Sequence, residues 1–103
     1  MARKNQKTLD FLEELTGEPL SFGALLHAIR EGEEESLAKF SERLGVSRQY
    51  LHQIEQGHRN VGLEQAARFA KVLGYGSLGF VKLSLQDMVD KAGIKATVDV
   101  KAA

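Results

Sequence analysis

The chain has 103 residues, of which 43% are hydrophobic and 27% charged, with a formal net charge of zero and no cysteine. This length and composition fit one compact globular domain, and the lack of cysteine excludes disulfides and thiolate metal sites. The polar, basic amino terminus has no apolar run of signal-peptide or membrane-spanning length, so we expect a cytoplasmic protein with no membrane partner.

Apolar residues recur at helical spacing along most of the chain, and glycines interrupt the pattern. Leu9, Leu12 and Leu15 form such a stripe in a short first helix, and serines with capping ability precede several later stripes. The last two stripes consist of Ala66, Ala67, Ala70 and Leu73, and of Leu78, Val81, Leu85, Met88, Val89 and Ala92. Helices are therefore predicted over 8–17, 21–32, 36–45, 47–57, 63–74 and 77–93.

The carboxyl-terminal stretch KATVDVK changes to a period of two, in which Ala96, Val98 and Val100 alternate with polar residues. This alternation is typical of a half-buried strand, and a lone strand needs a partner, which a second copy of the same segment would provide. The alternative is a frayed terminus. We expect an all-α fold of five to six helices with a short carboxyl-terminal β-strand.

Charge is distributed unevenly along this neutral chain. The segment REGEEES, Arg30 to Ser36, is acidic, whereas the region around the fourth predicted helix is mainly basic. This asymmetry permits a local electropositive face. The residues that contribute to it are Arg43, Arg48, His52, His58 and Arg59, opposed only by Glu42 and Glu55.

The stretch LGVSRQYLHQIEQG, Leu44 to Gly57, joins two short helices through a glycine, a small apolar residue and a capping serine. Such a corner is typical of a helix-turn-helix, whose second helix enters the major groove of DNA. With Ile29 and Arg30 before this stretch and Ala70 after it, the sequence resembles the lambda-repressor and Cro-type helix-turn-helix proteins, the XRE family, over roughly Ser21 to Gly74. The resemblance implies a lambda-repressor-like domain that binds double-stranded DNA.

The outward residues of the fourth helix suit base reading. An exposed Gln pairs with adenine and an Arg with guanine, and Gln49 and Gln53 share one helix face beside Arg48. The resemblance places these three residues at base-reading positions, with Tyr50 nearby, and His52 shares the face of Arg48. The alternative is a solvated polar face without a ligand.

The resemblance also implies supporting roles for other residues. Arg30 and Glu55 match an ion pair that joins two helices of the family and that specifies packing. Phosphate contacts are expected at the helix starts and after the recognition helix. The residues predicted for these contacts are Ser36, Ser47, Gln56, His58 and Arg59.

Three segments are expected. Residues 1–20 form a basic tail and a short helix, residues 21–75 the helix-turn-helix core, and residues 76–103 a carboxyl-terminal helix and strand for dimerisation. The residues predicted to mediate dimerisation are Leu85, Val89, Val98 and Val100.

Neither catalysis nor metal binding has a supporting constellation of residues. His52 and His58 are six residues apart, so they cannot share a helix face as the histidines of an H-E-x-x-H site do. His27 is expected at the edge of an apolar helix with its ring packed. The sequence predicts a protein that is not an enzyme and has no cofactor.

Three functions remain open. The first is a transcriptional regulator, specifically a repressor, that reads a palindromic operator as a homodimer. The second is an antitoxin that binds a toxin protein and autoregulates its operon, because much of the chain lies outside the motif. The third is a protein-interaction module that does not bind DNA.

Overall fold

The computed structural model describes residues 21–103, and the predicted helix over 8–17 lies outside them. None of the helices in the described part is long and apolar enough to cross a membrane. The structure of these residues agrees with the all-α part of the predicted fold. Residues 21–103 form five helices, α1 (Phe22–Gly32), α2 (Leu37–Leu44), α3 (Arg48–Glu55), α4 (Leu63–Leu73) and α5 (Ser77–Lys91).

A serine side chain caps the amino-terminal end of each of the first three described helices. The hydroxyl oxygens of Ser21, Ser36 and Ser47 accept hydrogen bonds from the backbone N–H groups three residues later, at 3.2, 3.1 and 3.0 Å. Each hydroxyl satisfies one of the amide donors that a helix leaves open at its start. These local signals explain why the sequence located the helix starts.

Packing stabilises these short helices, because segments of 8 to 15 residues are marginal in isolation. The most extensive helix pair is α4 with α5, while α3 packs against both α1 and α2. Aromatic rings fill the centre, and the Phe22 ring meets the Phe80 ring edge-on at 5.6 Å. The buried core consists of Phe22, Leu25, Leu26, Ile29, Phe40, Leu44, Leu51, Ile54, Val61, Ala66, Phe69, Ala70, Leu73, Tyr75 and Phe80.

Two contacts hold α1 in place against α3 and α5. Gly23 is buried against the backbone of Ile54, and a Cβ atom on Gly23 would lie 2.1 Å from the Ile54 carbonyl oxygen. On the other side, the Phe22 N–H donates to Asp87 Oδ2 at 3.0 Å, so a side chain of α5 caps the start of α1. Burial raises the pKa of Asp87, against the opposing effects of the Phe22 hydrogen bond and of Lys91.

The apolar stripe that predicts α5 is not its buried face. Phe80 and Ser84 are buried, and the Ser84 hydroxyl donates to the Val61 carbonyl oxygen. Leu78 is 45% exposed, and Leu85 and Val89 are half-buried. Helix α5 packs against the aromatic core through the face that carries Phe80. Most of the predicted apolar stripe therefore lies on the side of the helix, next to that buried face.

The prediction of a carboxyl-terminal strand was wrong, because residues 21–103 contain no β-strand. The segment instead lies along α5, where Gln86 Nε2 donates to the Ala96 carbonyl oxygen at 2.8 Å and the Val98 N–H donates to Gln86 Oε1 at 2.7 Å. The side-chain amide of Gln86 thus forms the hydrogen bonds to backbone groups that a neighbouring strand would otherwise form. Val98 and Val100 are half-buried, which accounts for the alternation in the sequence.

Candidate nucleic-acid interface

The corner between α2 and α3 is a tight turn held by backbone hydrogen bonds. The Val46 N–H donates to the Ser41 carbonyl oxygen at 3.0 Å, and Val46 packs against the core. From α4, Arg68 Nη1 donates to the Leu44 carbonyl oxygen at 2.7 Å. Arg68 therefore ties α4 to the corner, a role that the sequence does not reveal because the two residues are far apart in the chain.

Helix α3 has one buried face and one polar face. Leu51 and Ile54 are 0% and 1% exposed and anchor the helix in the core. The opposite face displays the side chains predicted to read bases, because their i, i+4 spacing places them together. Arg48, Gln49 and His52 are exposed on it, and Gln53 is half-exposed.

Tyr50 lies at the edge of this face and is half-buried. Its hydroxyl donates to Gln65 Oε1 of α4 at 2.9 Å, and the Arg59 guanidinium lies 5.0 Å from the centre of its ring. Arg59 Nε also donates to Gln53 Oε1 at 3.0 Å. The structure thus brings Tyr50, Gln53 and Arg59 into one cluster supported by Gln65, a residue that the sequence analysis missed.

The residues predicted to contact phosphates lie at the starts of α2 and α3 and after the end of α3. Ser36 and Ser47 are exposed at the starts of α2 and α3, where their hydroxyls serve as caps and the remaining first-turn N–H groups lie beside them. Gln56 and His58 are exposed just beyond the end of α3. Lys39, in the first turns of α2, is a further exposed cation that the sequence analysis did not select.

Arg30 and Glu55 join α1 to the end of α3 through two hydrogen bonds, each of 2.9 Å. His27 Nδ1 lies 2.8 Å from the same carboxylate, and His27 Nε2 lies 2.9 Å from Glu31. The Glu55 side chain is only 2% exposed. Burial disfavours its ionisation, but the hydrogen bonds from Arg30 and His27 outweigh that effect and lower the pKa of Glu55.

The electropositive face is smaller than the sequence predicts. Arg43 pairs with Glu33 at 3.1 Å and with Glu35, so the acidic segment offsets its charge. Of the other residues predicted to form this face, Arg48, His52, His58 and Arg59 are exposed. Among the described residues, no group of three acidic, histidine or cysteine side chains is placed to hold a metal ion.

The fold and the corner between α2 and α3 define a helix-turn-helix domain. Residues 21–77, more than half of the chain, match the family described as Helix-turn-helix domain, and the chain belongs to this family, as the resemblance to the XRE-type proteins predicts. Among solved structures, the chain is similar to the clp gene regulator ClgR from Corynebacterium glutamicum. The two share 26% identity at a TM-score of 0.52, over 70% of this chain and 77% of that one. No curated protein sequence matches the chain.

Proposed function

We propose that this helix-turn-helix protein is a sequence-specific transcriptional regulator that represses by binding duplex DNA as a homodimer. The observation that carries the proposal is the division of α3 into a face anchored by Leu51 and Ile54 and a face that displays Arg48 and Gln49 to solvent. The similar solved structure, ClgR, is described as a gene regulator. Such a protein acts by binding alone, without catalysis or a cofactor, and it works in the cytoplasm where DNA is accessible.

In this proposal α3 enters the major groove, and its polar face meets the base edges. Arg48 pairs with guanine O6 and N7, and Gln49 pairs with adenine N6 and N7. Each good pair discriminates against the wrong base by about 1–3 kcal/mol. The rigid attachment of α3 by the core and by the Arg30–Glu55 pair keeps these side chains in register.

Phosphate contacts set the register on the duplex. The first turns of α2 and α3, at Ser36 and Ser47, direct backbone N–H groups outward, and Gln56 and His58 extend the contact beyond α3. Because the chain has no net charge and Arg43 is paired with carboxylates, we expect few phosphates to be neutralised. Binding should therefore weaken less with salt than that of a strongly basic DNA-binding protein.

The homodimer would form through residues 76–103, beyond the helix-turn-helix core of residues 21–75. Leu85 and Val89 lie on a half-buried flank of α5, and Val98 and Val100 are half-buried beside it. This flank gives two copies an apolar surface to share. A two-fold dimer reads two inverted half-sites spaced by about one turn of DNA, which makes the operator palindromic.

A second candidate is an antitoxin that masks a toxin protein and binds its own operator. It is favoured by exposed apolar residues in the carboxyl-terminal segment that DNA reading does not use, since Leu78 is 45% and Ile94 is 55% exposed. Purification of the protein expressed from its native operon distinguishes the two. A stoichiometric small protein that dissociates when Ile94 and Leu78 are changed to Ser supports the antitoxin, and a single species supports the repressor.

The proposal is tested by selecting random duplex DNA with the purified protein at one stated salt concentration. We expect an inverted repeat to be enriched by the parent and the preference to be relaxed in the Gln49→Ala, Gln53→Ala double variant. Lys71→Ala serves as the matched control, because Lys71 is exposed on α4 outside the motif and should leave the selected sequence unchanged. If the parent enriches no sequence, the protein is an interaction module that does not bind DNA specifically.

A further inference from the structure

The environment of Gln53 differs from that of Gln49, although both are glutamines on the same face of α3. Gln49 is exposed, whereas Gln53 is half-buried and its Oε1 accepts a hydrogen bond from Arg59 Nε at 3.0 Å. A guanidinium group only donates hydrogen bonds, so the amide oxygen must face Arg59 and the amide NH2 group must point away from it. The Arg59 contact therefore determines the orientation of the Gln53 amide.

Arg59 is itself held from two sides. Its guanidinium lies 5.0 Å from the centre of the Tyr50 ring, within the range of a cation–π interaction. The Tyr50 hydroxyl donates to Gln65 Oε1 at 2.9 Å, which fixes the ring against α4. Arg59 thus rests on a supported aromatic platform, and its hydrogen bond to Gln53 is correspondingly well placed.

The backbone that carries Arg59 is also anchored. Gly57 has a φ of 78°, which turns the chain back at the end of α3, and the His58 N–H donates to the Gln53 carbonyl oxygen at 2.9 Å. From α5, Lys91 Nζ donates to the Gly57 carbonyl oxygen at 3.1 Å and to Asn60 Oδ1 at 2.6 Å. The loop beside Gln53 is therefore tied both to α3 and to α5.

We propose that Arg59 is a positioning residue for base specificity, which orients the Gln53 amide so that its NH2 group donates to an acceptor on a base edge. The inference rests on the proposed DNA-binding function. It changes the role expected for Arg59 from a phosphate contact to the support of a base contact. In the major groove, the acceptors available to such a donor are purine N7, guanine O6 and thymine O4. Within residues 21–103, no comparable contact orients the amide of Gln49, which is exposed.

Relative affinities measured at one salt concentration, for the selected site and for all its single-base changes, test this role. The proteins compared are the parent, Gln53→Ala, Arg59→Lys, Arg59→Ala and, as the neighbouring control, His58→Ala. Lysine keeps the positive charge that a phosphate contact would need, but it lacks the guanidinium Nε–H group that donates to Gln53 Oε1. We expect Arg59→Lys to reduce discrimination about tenfold at the same base pair that Gln53→Ala affects, with other positions retained, whereas His58→Ala should weaken all sites equally.

Two results would overturn the role of Arg59 while leaving the DNA-binding function intact. One is full base preference in Arg59→Lys together with a uniform loss of affinity and a shallower salt dependence in Arg59→Ala, which would make Arg59 a phosphate contact. The other is a Gln53 side-chain NH2 group as mobile as that of Gln49 in nitrogen relaxation measurements on the free parent. If the parent shows no base preference at all, both the function and the role of Arg59 are refuted.

Discussion

The close approach of α1 to α3 makes Gly23 a position where one added methyl group should displace α3. A Cβ atom there would lie 2.1 Å from the Ile54 carbonyl oxygen, 3.1 Å from the Ile54 carbonyl carbon and 3.2 Å from the Glu55 carbonyl oxygen. Ordinary contacts between such atoms are about 3.5 Å, so in Gly23→Ala the Cβ atom and the Ile54 carbonyl oxygen must separate by a further distance of about 1.4 Å. The obstacle is backbone, which no side-chain rotation relieves.

The expected cost follows from two opposing effects. Overpacking a core against backbone costs typically about 1–3 kcal/mol, and we take the upper part of this range because the contact is so short. Alanine is favoured over glycine inside a helix by about 0.5–1 kcal/mol, which offsets part of that cost. The free energy of unfolding should therefore fall by about 2 kcal/mol, which lowers Tm by about 8–16 °C in a domain of this size.

Thermal unfolding followed by circular dichroism measures this effect, and Gly32→Ala is the matched control. A Cβ atom at Gly32 in the same helix would meet nothing within 4 Å, so this variant should melt at the parent temperature or a few degrees above it. At a temperature where Gly23→Ala is still folded, its DNA affinity should also be reduced because α3 is displaced. Equal melting temperatures for the two variants would refute the close helix contact.

Three further substitutions test other contacts. Ser47→Ala removes the cap of α3 and should lower the free energy of unfolding by about 1 kcal/mol in urea titration, and an unchanged midpoint would contradict the capping role. Asp87→Asn keeps an acceptor for the Phe22 N–H, and because burial raises the pKa of Asp87, the parent should lose stability relative to this variant as the pH rises above the ordinary value of 3.8. Melting temperatures from pH 3 to 7 measure this trend, and a parallel profile for both proteins would exclude it. Burial of Glu55 opposes its ionisation, but the hydrogen bonds from Arg30 and His27 outweigh burial and lower its pKa. Glu55→Gln should therefore be less stable than the parent at pH 7, and this difference in the free energy of unfolding should shrink as the pH falls below the ordinary pKa of 4.5. A difference that stays constant in acid titration would rule out that charge effect.

Local signals made the helices predictable. The capping serines and the glycines that follow the apolar stripes lie within a few residues of the helix ends they specify, so the observed Phe22–Gly32 and Leu63–Leu73 fall close to the predicted spans. The outward face of α3 was equally predictable from the sequence, because Leu51 and Ile54 mark the buried side of the helix. These inferences need no knowledge of distant contacts.

The errors arose where distant residues decide the outcome. The alternation around Val98 suggested a strand, but alternating burial arises equally when an extended segment lies on a helix, as here against Gln86. The sequence predicts Arg43 as part of a basic face, but the fold places Glu33 and Glu35 beside it. The sequence also gives no sign that Asp87 caps a helix 65 residues away.

The support of the recognition face was predictable only in part. The sequence indicated which side chains of α3 point outward, but not that Arg59 and Gln65 hold Tyr50 and Gln53 in one cluster. Those contacts depend on how the loop after α3 folds back and on how α4 packs beside it. The orientation of the outward side chains of α3 therefore depends on residues outside that helix.

If the polar face of α3 reads base pairs, the protein must bind the selected duplex with a more favourable free energy than a scrambled one. Fluorescence anisotropy titrations at one salt concentration give this difference for the parent and for Arg48→Ala. We predict that the parent prefers the selected duplex and that Arg48→Ala reduces the difference by about 1–3 kcal/mol while its affinity for the scrambled duplex changes far less. Equal losses on both duplexes would contradict base reading by α3 and leave only a contact with the phosphate backbone.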